Sequence, residues 1–418
     1  MKIKHINLLV LKPLFLCFAL LQTVSCWDGL NDMLEEGESP SAITFTQSSL
    51  TSGGMSINWT DPASVTGYDH VLVTYTPGSS FILNKGVTTF NVSGLSSSTE
   101  YTVTVQAIGK ENIVKAQSSF KVTPSGAYTL SFIYTAADLD SVRSNLGYYY
   151  LVMNDIDLSG YPNWIPIGTA DPSPPDSFTG VFDCQNHRIN SMTINRNQGL
   201  LGLFGRVDGV VKNCMISGSI TGTLSGSYIG GIVGETLTDG AIINCCGMVF
   251  ITATGANSRL GGIVGCCSNP SNVVSSCYAT GKVVASGATS NAGGLAGLNQ
   301  GTISNSYATG SVSGTYETGG LVGANYNAAA IINNCYAVGQ VSGGTLIGGL
   351  VGSNSGTCTA SYYDSQTTGQ SDDTGKGFPR TTNQMKLADT YSGWDFTAVW
   401  GISSVINGGY PYLRDVAP

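Results

Sequence analysis

Histidine is nearly missing from this chain, with 3 in 418 residues, and only His70 and His187 lie beyond residue 25. Charge is scarce as well, since Asp, Glu, Lys and Arg together make up 11% of the sequence. There is no His-Glu-x-x-His, which excludes the usual helix-borne zinc peptidase site. Neither a Gly-x-Ser-x-Gly nucleophile elbow nor a phosphate-binding P-loop occurs. With 18 basic residues against 26 acidic ones, and no basic cluster, nucleic acid is excluded as a partner. Beyond the amino terminus no apolar run is long enough to span a bilayer.

Glycine and repetition are abundant instead. A phrase Gly-Gly-aliphatic-aliphatic-Gly returns six times, first shortened as Gly202 to Gly205 and then as Gly230–Gly234, Gly261–Gly265, Gly293–Gly297, Gly319–Gly323 and Gly348–Gly352. The final glycines are 29, 31, 32, 26 and 29 residues apart. A second phrase follows at a nearly fixed offset: Val211 to Cys214, Ile242 to Cys245, Val274 to Cys277, Ile303 to Ser306 and Ile332 to Cys335. Two phrases in phase describe one supersecondary unit, too small to bury its apolar face alone and therefore stacked on its neighbours. The 55 glycines follow no Gly-X-Y period, and 42% of residues are hydrophobic. That composition predicts an all-β chain of strands and tight turns with almost no helix.

The amino terminus carries Lys2 and Lys4, then an apolar run resuming at Leu14–Leu21, and reads as a secretory signal over residues 1–25. Ser25 stands directly before Cys26, the arrangement of a bacterial lipoprotein signal in which Cys26 would carry the lipid; ordinary cleavage and full secretion is the alternative. Membrane contact is then expected only through that anchor. Removing residues 1–25 takes away three lysines and no acid, leaving 15 basic against 26 acidic residues, a net charge of −11. Residues 26–40 contain Asp28, Asp32, Glu35, Glu36 and Glu38 with no basic residue, and read as an extended acidic tether.

From 41 to 125 the pattern is short alternating strands, as in Ser56–Thr60, His70–Tyr75 and Tyr101–Ala107. Trp59 on an early strand, and Leu95 six residues before Tyr101, resemble the fibronectin type III domain. There the tryptophan fills a sandwich core and the tyrosine pins a corner. The resemblance implies a spacer or a binding module; no Arg-Gly-Asp is present.

Residues 126–198 read as the first coils of the solenoid, with strand-like alternation at Tyr150–Leu158, Trp164–Gly168 and Phe178–Asp183. Together with the repeated phrases over 199–365, they resemble the bacterial GLUG-repeat surface proteins. That resemblance implies a right-handed parallel β-helix. Cys184-Gln185 stand where the family usually has Gly-Asn after Phe-Asp. Read independently, Ile303–Gly310 needs a bend at Asn305, which would send Ile303, Ser306 and Ala308 inward and Tyr307 outward. Three short strands fit in each repeat, with glycines serving the turns. The aromatic stretch Phe378–Leu413, within 366–418, is expected to cover the open end.

Cys214, Cys245, Cys277 and Cys335 hold one repeat position, with Ser306 in the remaining copy, as stacked small buried residues would; an occasional disulfide is the alternative. Zinc spacing is absent, and no cofactor or metal is expected. Asp155-Ile-Asp-Leu-Ser-Gly160 begins like a calcium loop, but its twelfth position is Pro166, and Ile156 and Leu158 suit a strand. Over the repeats Asp208, Glu235, Asp239, Glu317 and Asp364 fall at different repeat positions, so stacking is not expected to gather a catalytic pair. Related repeats accompany immunoglobulin-A-cleaving zinc peptidases, but the zinc-binding motif is lacking here. Tyr278, Tyr307 and Tyr336 share an outward position and are expected to form an exposed stripe, either a binding surface for sugar rings or protein, or a mere stiffener. The sequence therefore points to a non-enzymatic cell-surface or secreted adhesin-like protein, facing an extracellular glycan or a host or cell-surface protein. The alternatives are a carbohydrate-binding module and a polysaccharide-active β-helix enzyme.

Overall fold

The computed structural model describes residues 39–169, 177–372 and 374–416. The signal, Cys26 and most of the acidic tether lie outside the described residues. The fold is nearly all β, with 48% strand and 7% helix, arranged as an amino-terminal sandwich followed by a parallel β-solenoid of about seven turns.

One coil shows how the repeat is built. Tyr228–Gly230 enters sheet I, Val233–Thr236 sheet II, Ala241–Ile243 sheet III and Cys246–Ala253 sheet IV. This coil thus contributes four strands, and from Tyr278 on the sheet IV strand splits in two, as Tyr278–Ala279 and Val283–Ala285, where three strands per coil were expected from its length. The extra strand arises because the glycine phrase is itself a corner, ending sheet I at its first glycine and starting sheet II at its second aliphatic residue. Sheets I and II each contain six strands. Successive coils pair in parallel register, as in Ile229↔Leu260↔Ala292↔Thr318↔Ile347.

The glycines of the phrase serve close approach rather than turning. None of them takes a positive φ. A Cβ on Gly231, Gly262, Gly294 or Gly320 would lie far inside contact distance of a glycine carbonyl in the next coil. A Cβ on Gly265 or Gly297 would meet the backbone of the sheet I strand one coil back. The left-handed bends fall elsewhere, at Asn213, Asn244, Ser276, Asn305, Asn334 and Ala360. Asn is the commonest occupant because its short polar side chain makes that conformation less costly than other L residues do. The bend at Asn305 has the expected effect: Ile303, Ser306 and Ala308 are fully buried on the inner side.

Sandwich and solenoid share a wall. Sheet III runs on from the solenoid through Tyr149–Val152 and Tyr128–Ile133 into the sandwich strands Phe45–Thr51, Gly54–Trp59 and Thr89–Ser93. The strand Tyr128–Ile133 pairs antiparallel with Phe45–Thr51 on one side and parallel with Tyr149–Val152 on the other. Side-chain alternation then feeds two cores from one strand. Leu130, Phe132, Tyr149 and Leu151 belong to the sandwich core, whereas Ile133, Tyr150 and Val152 belong to the solenoid core. Phe132 stacks on Phe45 at 5.2 Å and meets Phe120 edge-on at 5.2 Å. Within the sandwich Trp59 is buried, and the Tyr101 hydroxyl accepts the Ser96 amide at 3.0 Å, so the corner tyrosine stands where the sequence placed it.

The carboxyl-terminal stretch has two jobs. Residues 366–372 and 374–377 close the end of the solenoid: the Tyr363 hydroxyl donates to the Asp372 carbonyl at 2.7 Å, and Lys376 donates to the Ile347 carbonyl at 3.3 Å. Phe378–Arg380 then adds a strand to sheet IV, and the chain turns back along the solenoid's side. The expected end cap is therefore mostly a lateral cover.

Candidate functional surfaces

The tyrosine ladder forms, but it is not open. Tyr278, Tyr307 and Tyr336 point away from the solenoid core with ring centroids 4.8 Å apart and planes within 2° and 6° of parallel. Their exposures are 2%, 0% and 0%. The returning carboxyl-terminal chain lies over them, with Trp400 at 6.1 Å from Tyr307 and 6.0 Å from Tyr336. The Tyr336 hydroxyl donates to the Pro411 carbonyl at 2.6 Å and accepts from Asn407 Nδ2 at 2.6 Å. Trp394 Nε1 donates to the Ala360 carbonyl at 2.9 Å. The expected exposed stripe is thus corrected. An outward aromatic row presents a large apolar area, and the cover removes it from water.

A second surface lies on the outer side of the corner between sheets I and II. Glu235 is buried there, accepting from Arg206 Nε at 2.8 Å and from Ser268 Oγ at 2.7 Å. The Arg259 guanidinium sits 4.6 Å over the Tyr228 ring and donates to Cys266 Sγ at 3.5 Å. Burial pushes the Glu317 carboxyl up, against hydrogen bonds from Ser353 and Asn291 and the positive Arg259. Glu317 neighbours Ser353, which stands four rungs along sheet II from Glu235, so the two carboxylates are not a pair. They occupy different positions in the repeat, on the two sheets that meet at the corner.

The third surface is a polar cleft of about 500 Å³ where the sandwich meets the solenoid. Glu100, Thr102 and Lys121 line it from the sandwich, while Gln185, Asn186, His187, Asn213 and Asn244 come from successive solenoid bends, with Asp415 from the carboxyl-terminal cover. Gln185 clamps the two sides as a backbone mimic, accepting the Lys121 amide at 2.7 Å and donating to the Lys121 carbonyl at 3.1 Å. Asn244 Nδ2 reaches Asn213 Oδ1 at 3.4 Å, and Asn213 Nδ2 donates to Asp183 at 2.9 Å. His187 Nδ1 stands 3.3 Å from Asp155. The Arg188 backbone amide, then His187, hold the Asp155 carboxyl below its ordinary range. Asp155 and Asp157 are occupied by these local bonds and by Ser159, and Ile156 and Leu158 are buried, so the calcium-like stretch is a strand. Among the described residues no three His, Cys, Asp or Glu side chains are grouped to hold a metal ion.

Comparison with known proteins matches the two architectures separately. The fibronectin type III domain model matches residues 38–123, and the GLUG motif model matches residues 288–313. This is a fibronectin type III domain joined to a GLUG-bearing β-solenoid. A protein of Evansella cellulosilytica, described as a Gly-rich membrane protein, is 36% identical over 114 residues. That match covers 25% of this chain and only 13% of the relative. Among solved structures, a chain described as an immunoglobulin A1 protease from Bacteroides ovatus is similar at 18% identity and a TM-score of 0.44, over 69% of this chain and 92% of that one. Another, titled IgA1 Protease, is similar at 14% identity and a TM-score of 0.38, over 70% of this chain and 28% of that one. At these values neither speaks to what this chain does. No helix among the described residues is long and apolar enough to cross a membrane.

Proposed function

We propose that this chain is a non-enzymatic, exported surface protein of adhesin type, in which the fibronectin type III domain and the GLUG solenoid act as one stiff scaffold. The observation that carries the reading is the shared wall, because Leu130, Phe132 and Leu151 pack in the sandwich while Ile133 and Val152 pack in the solenoid. A flexible spacer has no need of such a wall, whereas a scaffold that holds a contact surface at fixed geometry does. The contact surface is the junction cleft, whose amides, carboxylates and His187 offer donors and acceptors in alternation, suited to a polyhydroxylated glycan. Residues 1–25 direct export, and Cys26 carries the lipid that tethers the acidic segment to a membrane surface.

The test is a glycan array with the purified chain, alongside His187→Ala and Asn244→Ala. Binding that both substitutions weaken supports the cleft, and binding that neither alters removes it. Palmitate labelling of the chain, lost in Cys26→Ala, checks the anchor; recovery of the unlabelled chain from the cytosol would contradict export. A second reading, polysaccharide cleavage, is favoured by one observation, the half-buried Glu317 carboxyl held up by burial near Arg259. New reducing ends on incubation with polysaccharide, lost in Glu317→Gln, would establish it in place of the first.

A further inference from the structure

The inward position shared by the second repeat phrase is occupied, coil after coil, by Cys184, Cys214, Cys245, Cys277, Ser306, Cys335 and Ser361, all of them fully buried. Cys184 is the rung the sequence reading missed, because it follows Asp183 in place of the residue the family favours. The first two rungs are joined as a disulfide with their Cα atoms 4.9 Å apart. The next two rungs repeat that placement. Ile243 pairs with Ser275 before them and Cys246 with Tyr278 after them, so Cys245 and Cys277 stand in register on consecutive coils. Their thiols share one orientation: Cys245 Sγ donates to the Ile243 carbonyl at 3.2 Å, and Cys277 Sγ donates to the Ser275 carbonyl at 3.2 Å. The two side chains also touch each other.

We propose that Cys245 and Cys277 form a second coil-to-coil disulfide, so that the solenoid's first four rungs are cross-linked in pairs. Strands of a parallel ladder are about 4.8 Å apart, within the Cα range that a disulfide spans. Serine ends the series. The Cys277 amide donates to Ser306 Oγ at 3.1 Å and the Cys335 amide to Ser361 Oγ at 3.1 Å, which leaves Cys335 with a serine at its own position on either side, while Cys358 on the next coil is in register with Ile332 instead. Cys335 therefore stays a thiol.

The oxidant is a disulfide donor of the export compartment. One cysteine thiolate attacks a donor sulfur and releases one donor thiol. The other thiolate then attacks the mixed disulfide, closes the Cys245–Cys277 bond and releases the second donor thiol. Two protein thiols and one donor disulfide thus give one protein disulfide and two donor thiols. The timing follows from burial, which, with the adjoining Cys277, pushes the Cys245 thiol well above its ordinary range. Thiolate is the attacking form, so the bond has to close before the coils do. A chain that folds reduced is afterwards resistant to oxidation at this pair.

The experiment refolds the full chain from the reduced, denatured state in a buffer of reduced and oxidised glutathione, alkylates the remaining thiols, and locates linked peptides by fragmentation mass spectrometry. The expected result is a Cys245–Cys277 link beside Cys184–Cys214, with Cys335 alkylated. Cys245 and Cys277 both recovered alkylated, or a Cys214–Cys245 link in the main product, would overturn the proposal. Cys277→Ser places in this rung the residue that rungs 306 and 361 already hold. In that variant Cys245 is expected alkylated with Cys184–Cys214 intact. Transfer of Cys245 to Cys214 in that variant would show that the ladder is not ordered in pairs, which also overturns it.

Discussion

At the amino-terminal end of the solenoid, sheet III runs on by backbone hydrogen bonds into the sandwich; at the other end the same sheet stops at Thr357–Thr359 with both threonines exposed, and the turns close beside it over Val341, Ile347 and Asn354. An exposed strand edge would template pairing with another chain, and at the amino-terminal end the sheet avoids it by running on. That solution merges two cores across a common strand. Beyond the closing turns, the carboxyl-terminal chain instead lays a separate layer of side chains over the finished side of the solenoid. A merged wall couples the stability of two regions, whereas a cover can be lost while what it covers stands.

That contrast can be broken first at its largest side chains. Phe132→Ala is expected to cost about 3–5 kcal/mol, the usual range for a buried Phe truncation, and to destabilise sandwich and solenoid together. Trp400→Ala should cost a similar amount but loosen only the carboxyl-terminal cover. Chemical unfolding gives the totals, and limited proteolysis locates the loss. Cleavage confined to residues 382–416 is expected for Trp400→Ala and not for Phe132→Ala.

A smaller and sharper contrast lies within the repeat. Gly320→Ala sets a Cβ far inside contact distance of the Gly349 carbonyl, and should cost about 1–3 kcal/mol or more through forced backbone shifts. Asn305→Gly, at φ 47°, keeps the left-handed bend available and should change stability by only a few tenths of a kcal/mol. Equal losses at both positions, measured by the same denaturation, would contradict the division of labour between close-approach glycines and left-handed bends.

The smallest expected effect is electrostatic. Hydrogen bonds from Thr374 and then Lys376 hold the Asp372 carboxyl down at about 2. A carboxylate whose folded pKa is depressed stabilises the fold above its unfolded value, about 3.9, and that contribution is lost as pH falls toward 2. The turn closing the solenoid's end should therefore loosen between about pH 4 and pH 2, seen as faster amide exchange over residues 366–372 and 374–377. Asp372→Asn should abolish that pH dependence.

Much of this was legible in the sequence. The inward set Ile303, Ser306 and Ala308 and the bend at Asn305 follow from local parity, and Trp59 with Tyr101 follows from the sandwich pattern. What was not legible depends on contacts between distant segments. The outward direction of Tyr307 is a local property, but its exposure was decided by Trp400, 93 positions away in the chain. Tyr149–Val152 reads as a buried strand whether one core or two receive its side chains.

The shared wall is most directly tested by amide hydrogen exchange on the full chain, comparing Phe45–Thr51, Tyr128–Ile133 and Tyr149–Val152. A common wall predicts that the three strands open together, with matching protection that a denaturant lowers in parallel. Early exchange of Phe45–Thr51, with Tyr128–Ile133 and Tyr149–Val152 still protected, would mean that the sandwich is a separable module and would contradict the account.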